Sequence, residues 1–99
     1  MKIRILDFAR DDLLDGFHFY EAQVPELGRY FLTCLYSDVE SLAIFGGTHS
    51  KPYRHYYRAL SKRFPFAIYY TINGNTVEIR SVVDCRRKPS WIHRHLDLS

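Results

Sequence analysis

The residues of this chain best suited to chemistry are cations. Arg86-Arg87-Lys88 form one run, preceded by Arg58, Lys62, Arg63 and Arg80. A guanidinium is a planar fork of donors that fits carboxylate or phosphate two bonds at a time. These seven residues are therefore candidates for holding an anionic partner. Trp91 sits just beyond them, as a hydrophobic clamp for a terminal helix or as a stacking surface. Proton carriers are fewer. His49 and His55 lie in a Tyr-rich stretch, where either one is a candidate beside Tyr56 or Tyr57. Cys85 follows Asp84 but is expected to point inward, which argues against a catalytic thiol. His93 and His95 are two apart on an expected helix and point away from each other, so no metal and no cofactor is expected.

The charge is uneven. The chain of 99 residues has a net charge of +3, yet ten of its fourteen Lys and Arg lie between Lys51 and Arg94, with only Glu78 and Asp84 as acids in that span. A basic half of this kind calls for an acidic partner, either an acidic protein segment or nucleic acid. The length suits one domain covering residues 1–99, with a modest core. Two cysteines, no secretory signal and no apolar run long enough for a membrane helix point to a reduced, cytoplasmic home and no membrane partner.

The elements that must position these residues centre on a hairpin. Arg63 to Trp91 holds two apolar β-runs joined by Asn73-Gly74, a strong hairpin signal. Phe66, Ile68, Tyr70 and Ile72 form one face of the first run. In the second, Val77, Ile79, Ser81, Val83 and Cys85 alternate with Glu78, Arg80, Val82, Asp84 and Arg86. Upstream, Lys2 to Asp7 reads as a short strand. A first helix is capped by Asp11 or Asp12, carries Leu13, Leu14, Phe17 and Tyr20, and ends before Pro25. A second helix from Pro25 carries the stripe Leu27, Phe31, Leu35, Val39 and Leu42, and Gly46-Gly47 stops it. Tyr53 to Lys62 reads as a strand with Arg54, Tyr56, Arg58, Leu60 and Lys62 on an open face. Ser90 to Leu98 reads as a short C-terminal helix. The fold class is therefore α+β, ordered β-α-α-β-β-β. A two-helix antiparallel hairpin covers one face of a mainly antiparallel sheet.

Three stretches carry a resemblance. They are Tyr20 to Leu32 at the turn between the helices, Arg63-Phe64-Pro65-Phe66-Ala67-Ile68-Tyr69-Tyr70, and Asp84-Cys85-Arg86-Arg87-Lys88-Pro89-Ser90-Trp91. In this order and spacing the chain resembles the RelE/ParE superfamily of bacterial type II toxins, and most closely the ParE-like branch known from "plasmid stabilisation" proteins. The resemblance implies a small toxin neutralised by a cognate antitoxin with an acidic C-terminal segment. It also implies one of two targets. ParE-like members act on DNA gyrase. RelE-like members cut messenger RNA on the ribosome without a metal. That chemistry would draw on Arg58, Lys62, Arg80 and Arg86 for phosphate charge and on a Tyr or His for protons. The nuclease branch ends in a His-Tyr pair. This chain has Arg86 to Trp91 there instead, and Asp84 where the family commonly has His, which favours the gyrase-directed branch over the enzyme. A third possibility is a non-toxic member that only binds an antitoxin.

Overall fold

The computed structural model describes all residues, Met1–Ser99. The order is β1 (Lys2–Ile5), α1 (Asp7–Gln23), α2 (Leu27–Phe45), β2 (Tyr57–Leu60), β3 (Phe66–Asn73), β4 (Thr76–Asp84) and α3 (Pro89–Leu98). One four-stranded sheet runs β1-β4-β3-β2. Only the β1–β4 pair is parallel; β4–β3 and β3–β2 are antiparallel. The α+β class and the β-α-α-β-β-β order are those expected. No helix is long and apolar enough to cross a membrane.

The α2 stripe behaves as its spacing dictates. Phe31, Leu35, Val39 and Leu42 are buried, and Leu27 is half-buried. The α1 face is rotated from the expected one. Ala9, Asp12, Leu13, Gly16 and Tyr20 are buried, whereas Leu14 and Phe19 stand about half exposed. The reason is an earlier start: α1 begins at Asp7, without a side-chain cap, so Asp12 lies inside the helix rather than at its end.

The turn between the helices is held by one carboxylate. Val24 is extended ahead of Pro25, and Glu26 takes a left-handed φ of 75°. Glu21 Oε2 accepts the Glu26 N–H and its Oε1 accepts the Gly28 N–H, both at 3.0 Å. Two otherwise orphaned donors at the start of α2 are thus satisfied. A Cβ on Gly28 would lie 2.6 Å from the Phe17 carbonyl oxygen, so only glycine lets α1 and α2 approach this closely.

Two expectations for the strands are corrected. The β3–β4 loop is Gly74 and Asn75 rather than Asn73-Gly74, because Asn73 still pairs with Thr76 and Gly74 carries the positive φ of 61°. The β4 alternation also breaks partway. Tyr69 pairs with Ser81 but Tyr70 pairs with Ile79, so Arg80 is an extra, bulged residue. A bulge reverses the faces beyond it. Val77, Ile79 and Val82 therefore share the core beneath α1 and α2, while Val83 joins a second, smaller core on the opposite face.

That second core closes part of the face expected to be open. Tyr56, Ala67, Tyr69 and Val83 pack with Leu96 of α3, flanked by Tyr53, Trp91 and Ile92. β2 is shorter than the expected Tyr53–Lys62 run, because Arg54 turns the chain with a φ of 52°. Tyr56, expected on the open charged face, is buried, and its hydroxyl donates to the Leu96 carbonyl at 3.3 Å.

Candidate partner-binding site

Apart from Arg58, the expected cations fall into three places. Arg86, Arg87, Lys88 and Trp91 gather where β4 hands over to α3. Asp84 ends β4, and its carboxylate accepts from Arg86 Nε at 2.9 and 3.2 Å and from Nη2 at 2.7 Å. Arg87 places its guanidinium 4.1 Å from the Trp91 ring centre. Trp91 stacks on His95 at 4.7 Å and 13°. Lys88 precedes Pro89, the first residue of α3, where a missing N–H does no harm. Trp91 is half-buried and packs against the second core beneath α3.

Lys62 and Arg63 form the second group, beyond the end of β2. The Lys62 backbone N–H donates to Asp38 at 3.3 Å, and Arg63 reaches the Tyr30 hydroxyl at 3.4 Å. Arg80 is in the third group. Its Nε donates to Thr71 Oγ1 at 3.0 Å and its Nη2 lies 3.4 Å from Glu78, which Arg4 approaches from the other side at 3.6 Å. Arg58 stands opposite Tyr69 in the β2–β3 register. None of the three principal cavities is lined by more than one of Arg58, Lys62, Arg80 and Arg86. Arg80 and Arg86 already face carboxylates within the chain.

The proton carriers are likewise occupied. His49 pairs with Tyr70 rather than with Tyr56 or Tyr57, its Nδ1 lying 2.6 Å from the hydroxyl. Tyr70 is fully buried, accepts the Gly47 N–H at 3.0 Å, and has its phenol pushed up by burial. His55 stacks on Tyr56 instead. Cys85 is exposed, not inward as expected, since the bulge in β4 shifts the alternation before it. Partial desolvation pushes its thiol up, away from a reactive thiolate.

One cluster has no counterpart among the expected site residues. Asp12 Oδ2 accepts the Ser81 hydroxyl at 2.6 Å and the Val82 N–H at 2.9 Å, and its Oδ1 lies 2.7 Å from His95 Nε2. Burial is the largest influence on Asp12 and raises its pKa above the ordinary 3.8, against the lowering effect of these bonds. Ser, Asp and His are all present, but the hydroxyl is sealed from solvent and faces the carboxylate rather than the imidazole. A nucleophile needs an adjacent base and an open approach; this cluster is a structural joint between α1, β4 and α3. The sequence signal was there, in an acid set among Ala9, Leu13, Gly16 and Tyr20 at helical spacing.

Asp84 responds to pH in the opposite sense to Asp12. Hydrogen bonds from Arg86 are the main cause holding its carboxyl below the ordinary 3.8. A group depressed in the folded chain lends stability that is full above 3.8 and lost as pH falls through its lower folded value. The expected outcome is an unfolding midpoint that drops with acid below pH 3.8 in the parent and drops less in Asp84→Asn. Denaturant titrations over that range check it. The exposure of Arg86 to solvent keeps the difference small.

No family model matches the chain, and no curated protein sequence is significantly similar to it. A solved structure of the chromosomal ParDE TA system from P. aeruginosa contains a similar chain. The TM-score is 0.76 at 18% identity, over 85% of this chain and 95% of that one. The architecture set out above, two helices packed on a mixed four-stranded sheet, is therefore a fold shared with a chain of that ParDE system.

Proposed function

We propose that this chain is the toxin of a type II toxin–antitoxin system, acting in the cytoplasm by binding its target, DNA gyrase, and held inactive by a co-encoded antitoxin with an acidic C-terminal segment. The observation that carries this reading is the fold shared with the ParDE system. Two further features support it. The basic half from Lys51 to Arg94 suits an acidic partner. Two of the four cations that message cleavage would draw on, and one of its candidate proton carriers, are engaged elsewhere: Arg86 with Asp84, Arg80 with Glu78, and His49 with a buried tyrosine. Arg58, Lys62, Arg63, Arg87, Lys88 and the edge of Trp91 then serve as partner contacts rather than catalytic groups.

Induced expression, with DNA, RNA and protein synthesis followed in parallel, tests the reading. The expected result is early arrest of DNA synthesis, with purified protein blocking gyrase supercoiling. Early arrest of translation with shortened messages would overturn it in favour of a ribosome-dependent endoribonuclease. Absence of any growth effect would leave a non-toxic antitoxin binder.

A further inference from the structure

β1 ends at Ile5, so β4 has no strand on that side beyond Ile79. α1 and α3 stand there instead, and a cavity of about 210 Å³ lies between them and β4. Its floor is the buried trio Phe66, Val82 and Val83, and its apolar walls are Phe19 and Trp91. Phe19 is 53% exposed, so one wall is an uncovered ring. An apolar hollow with a few convergent polar groups is the usual form of a small-molecule site. Pockets for drug-sized ligands run from roughly 300 to 1,000 Å³. This one is smaller and suits a solute the size of a single residue.

Five ionisable side chains line the cavity: Asp12, Asp15, Asp84, Arg87 and His95. Three of them are committed. Asp12 and His95 hold each other at 2.7 Å, and Asp84 is held by Arg86 through Nε and Nη2. Asp15 and Arg87 are exposed, and neither makes an ion pair within the chain. Arg87 is nonetheless set in place, because its guanidinium lies over the Trp91 ring. A stacked guanidinium spends its face on the ring and keeps its in-plane N–H fork for a carboxylate. The cavity therefore offers one free anion, one pre-positioned free cation and an apolar bed. A polyanion such as nucleic acid would meet three carboxylates here, and a simple amine would leave Arg87 unanswered. The solute that answers both charges carries an ammonium and a carboxylate on a compact apolar body.

We propose that this cavity binds a free α-amino acid with an apolar side chain, its carboxylate on Arg87, its ammonium on Asp15 and its side chain among Phe19, Val82 and Trp91. The site stands whether or not the chain is a toxin. Trp91 is the only tryptophan, so its fluorescence reports the cavity in the intact chain. The titrants are L-leucine, L-isoleucine, L-methionine and L-valine, none of which fluoresces. The best binder is then compared with its amide, which lacks the carboxylate, and its N-acetyl derivative, which lacks the ammonium. The expected result is a saturable change with a Kd of about 1 mM or tighter, and binding at least about 10-fold weaker for each derivative. Arg87→Gln should erase the preference over the amide, and Asp15→Asn the preference over the N-acetyl derivative. Lys2→Gln, on β1, should keep both. The substituted residues are exposed, and thermal melts confirm that each variant folds. No saturable change with any of the four amino acids up to about 10 mM overturns the site. Equal affinity for the amide or the N-acetyl derivative overturns it too, as does an Arg87→Gln variant that weakens every titrant alike.

Discussion

Asp12→Ala should lower the stability of the folded chain by about 3–5 kcal/mol, the range for breaking a buried charged network by removing one partner. The reason lies in the sheet. β1 ends at Ile5, and the last contact along that edge is the Leu6 N–H donating to the Ile79 carbonyl. Beyond Ile79, β4 has no strand on this side, yet its Val82 N–H is buried there. Asp12 supplies the missing acceptor at 2.9 Å and takes the Ser81 hydroxyl at 2.6 Å with the same oxygen. Alanine leaves both donors dry and unpaired, and each such donor costs about 1–3 kcal/mol. It also releases His95, and with it one of the ties that hold α3 to the sheet. Asp12→Asn keeps one acceptor oxygen and should lose less. Denaturant midpoints of the two variants measure the difference. Equal, small losses would mean that water reaches Val82 when the carboxylate is gone.

The second large effect is expected at Phe31. It is fully buried, with the rings of Tyr20, Phe64 and Phe66 centred 5.2, 5.1 and 4.9 Å away. Phe31→Ala removes the centre of that cluster and should cost about 3–5 kcal/mol. Its neighbour across the helix hairpin is Gly16. A Cβ there would lie 2.5 Å from Phe31 Cζ, so Gly16→Ala in the parent forces the ring aside and should cost about 1–3 kcal/mol. Once the ring is gone, the added methyl group enters the space it left. The double variant Gly16→Ala/Phe31→Ala should therefore be more stable than the sum of the single losses requires, by about 1 kcal/mol. Additive losses would show instead that the Phe31 ring already swings clear in the Gly16→Ala variant.

Both predictions turn on residues that differ in how legible they were. Phe31 belongs to an unbroken stripe of period near four, and such a stripe admits one reading. Asp12 did not, because an aspartate near a helix start is ordinarily a cap, and here the helix begins a turn earlier at a residue without one. The β4 faces could be read as far as Ile79 and then failed, since a bulge leaves no mark in an alternating run of Val, Ile and Arg. The order of elements along the chain and the fold class survived these errors, because they depend on the number and sequence of elements rather than on where each begins. The cations were found where the basic half placed them. The tie of Arg4 to Glu78 was not visible, because it depends on the parallel pairing of β1 with β4, a contact between distant parts of the chain.

The position of β4 also sets when the fold can form. It lies inside the sheet, between β1 and β3, yet it is the last strand in the chain. β1 is made first and has no partner until residues 76–79 exist to pair with it. Until then α1 and α2 carry Leu13, Phe31, Leu35 and Val39 without the Val77, Ile79 and Val82 surface that completes their core. Pairings this distant in sequence are slow to nucleate, and a partly made chain with such a stripe uncovered is prone to association. The helical hairpin therefore stays unclosed from the completion of α2 at Phe45 until residues 76–79 are made, and the sheet closes only when β4 enters between β1 and β3.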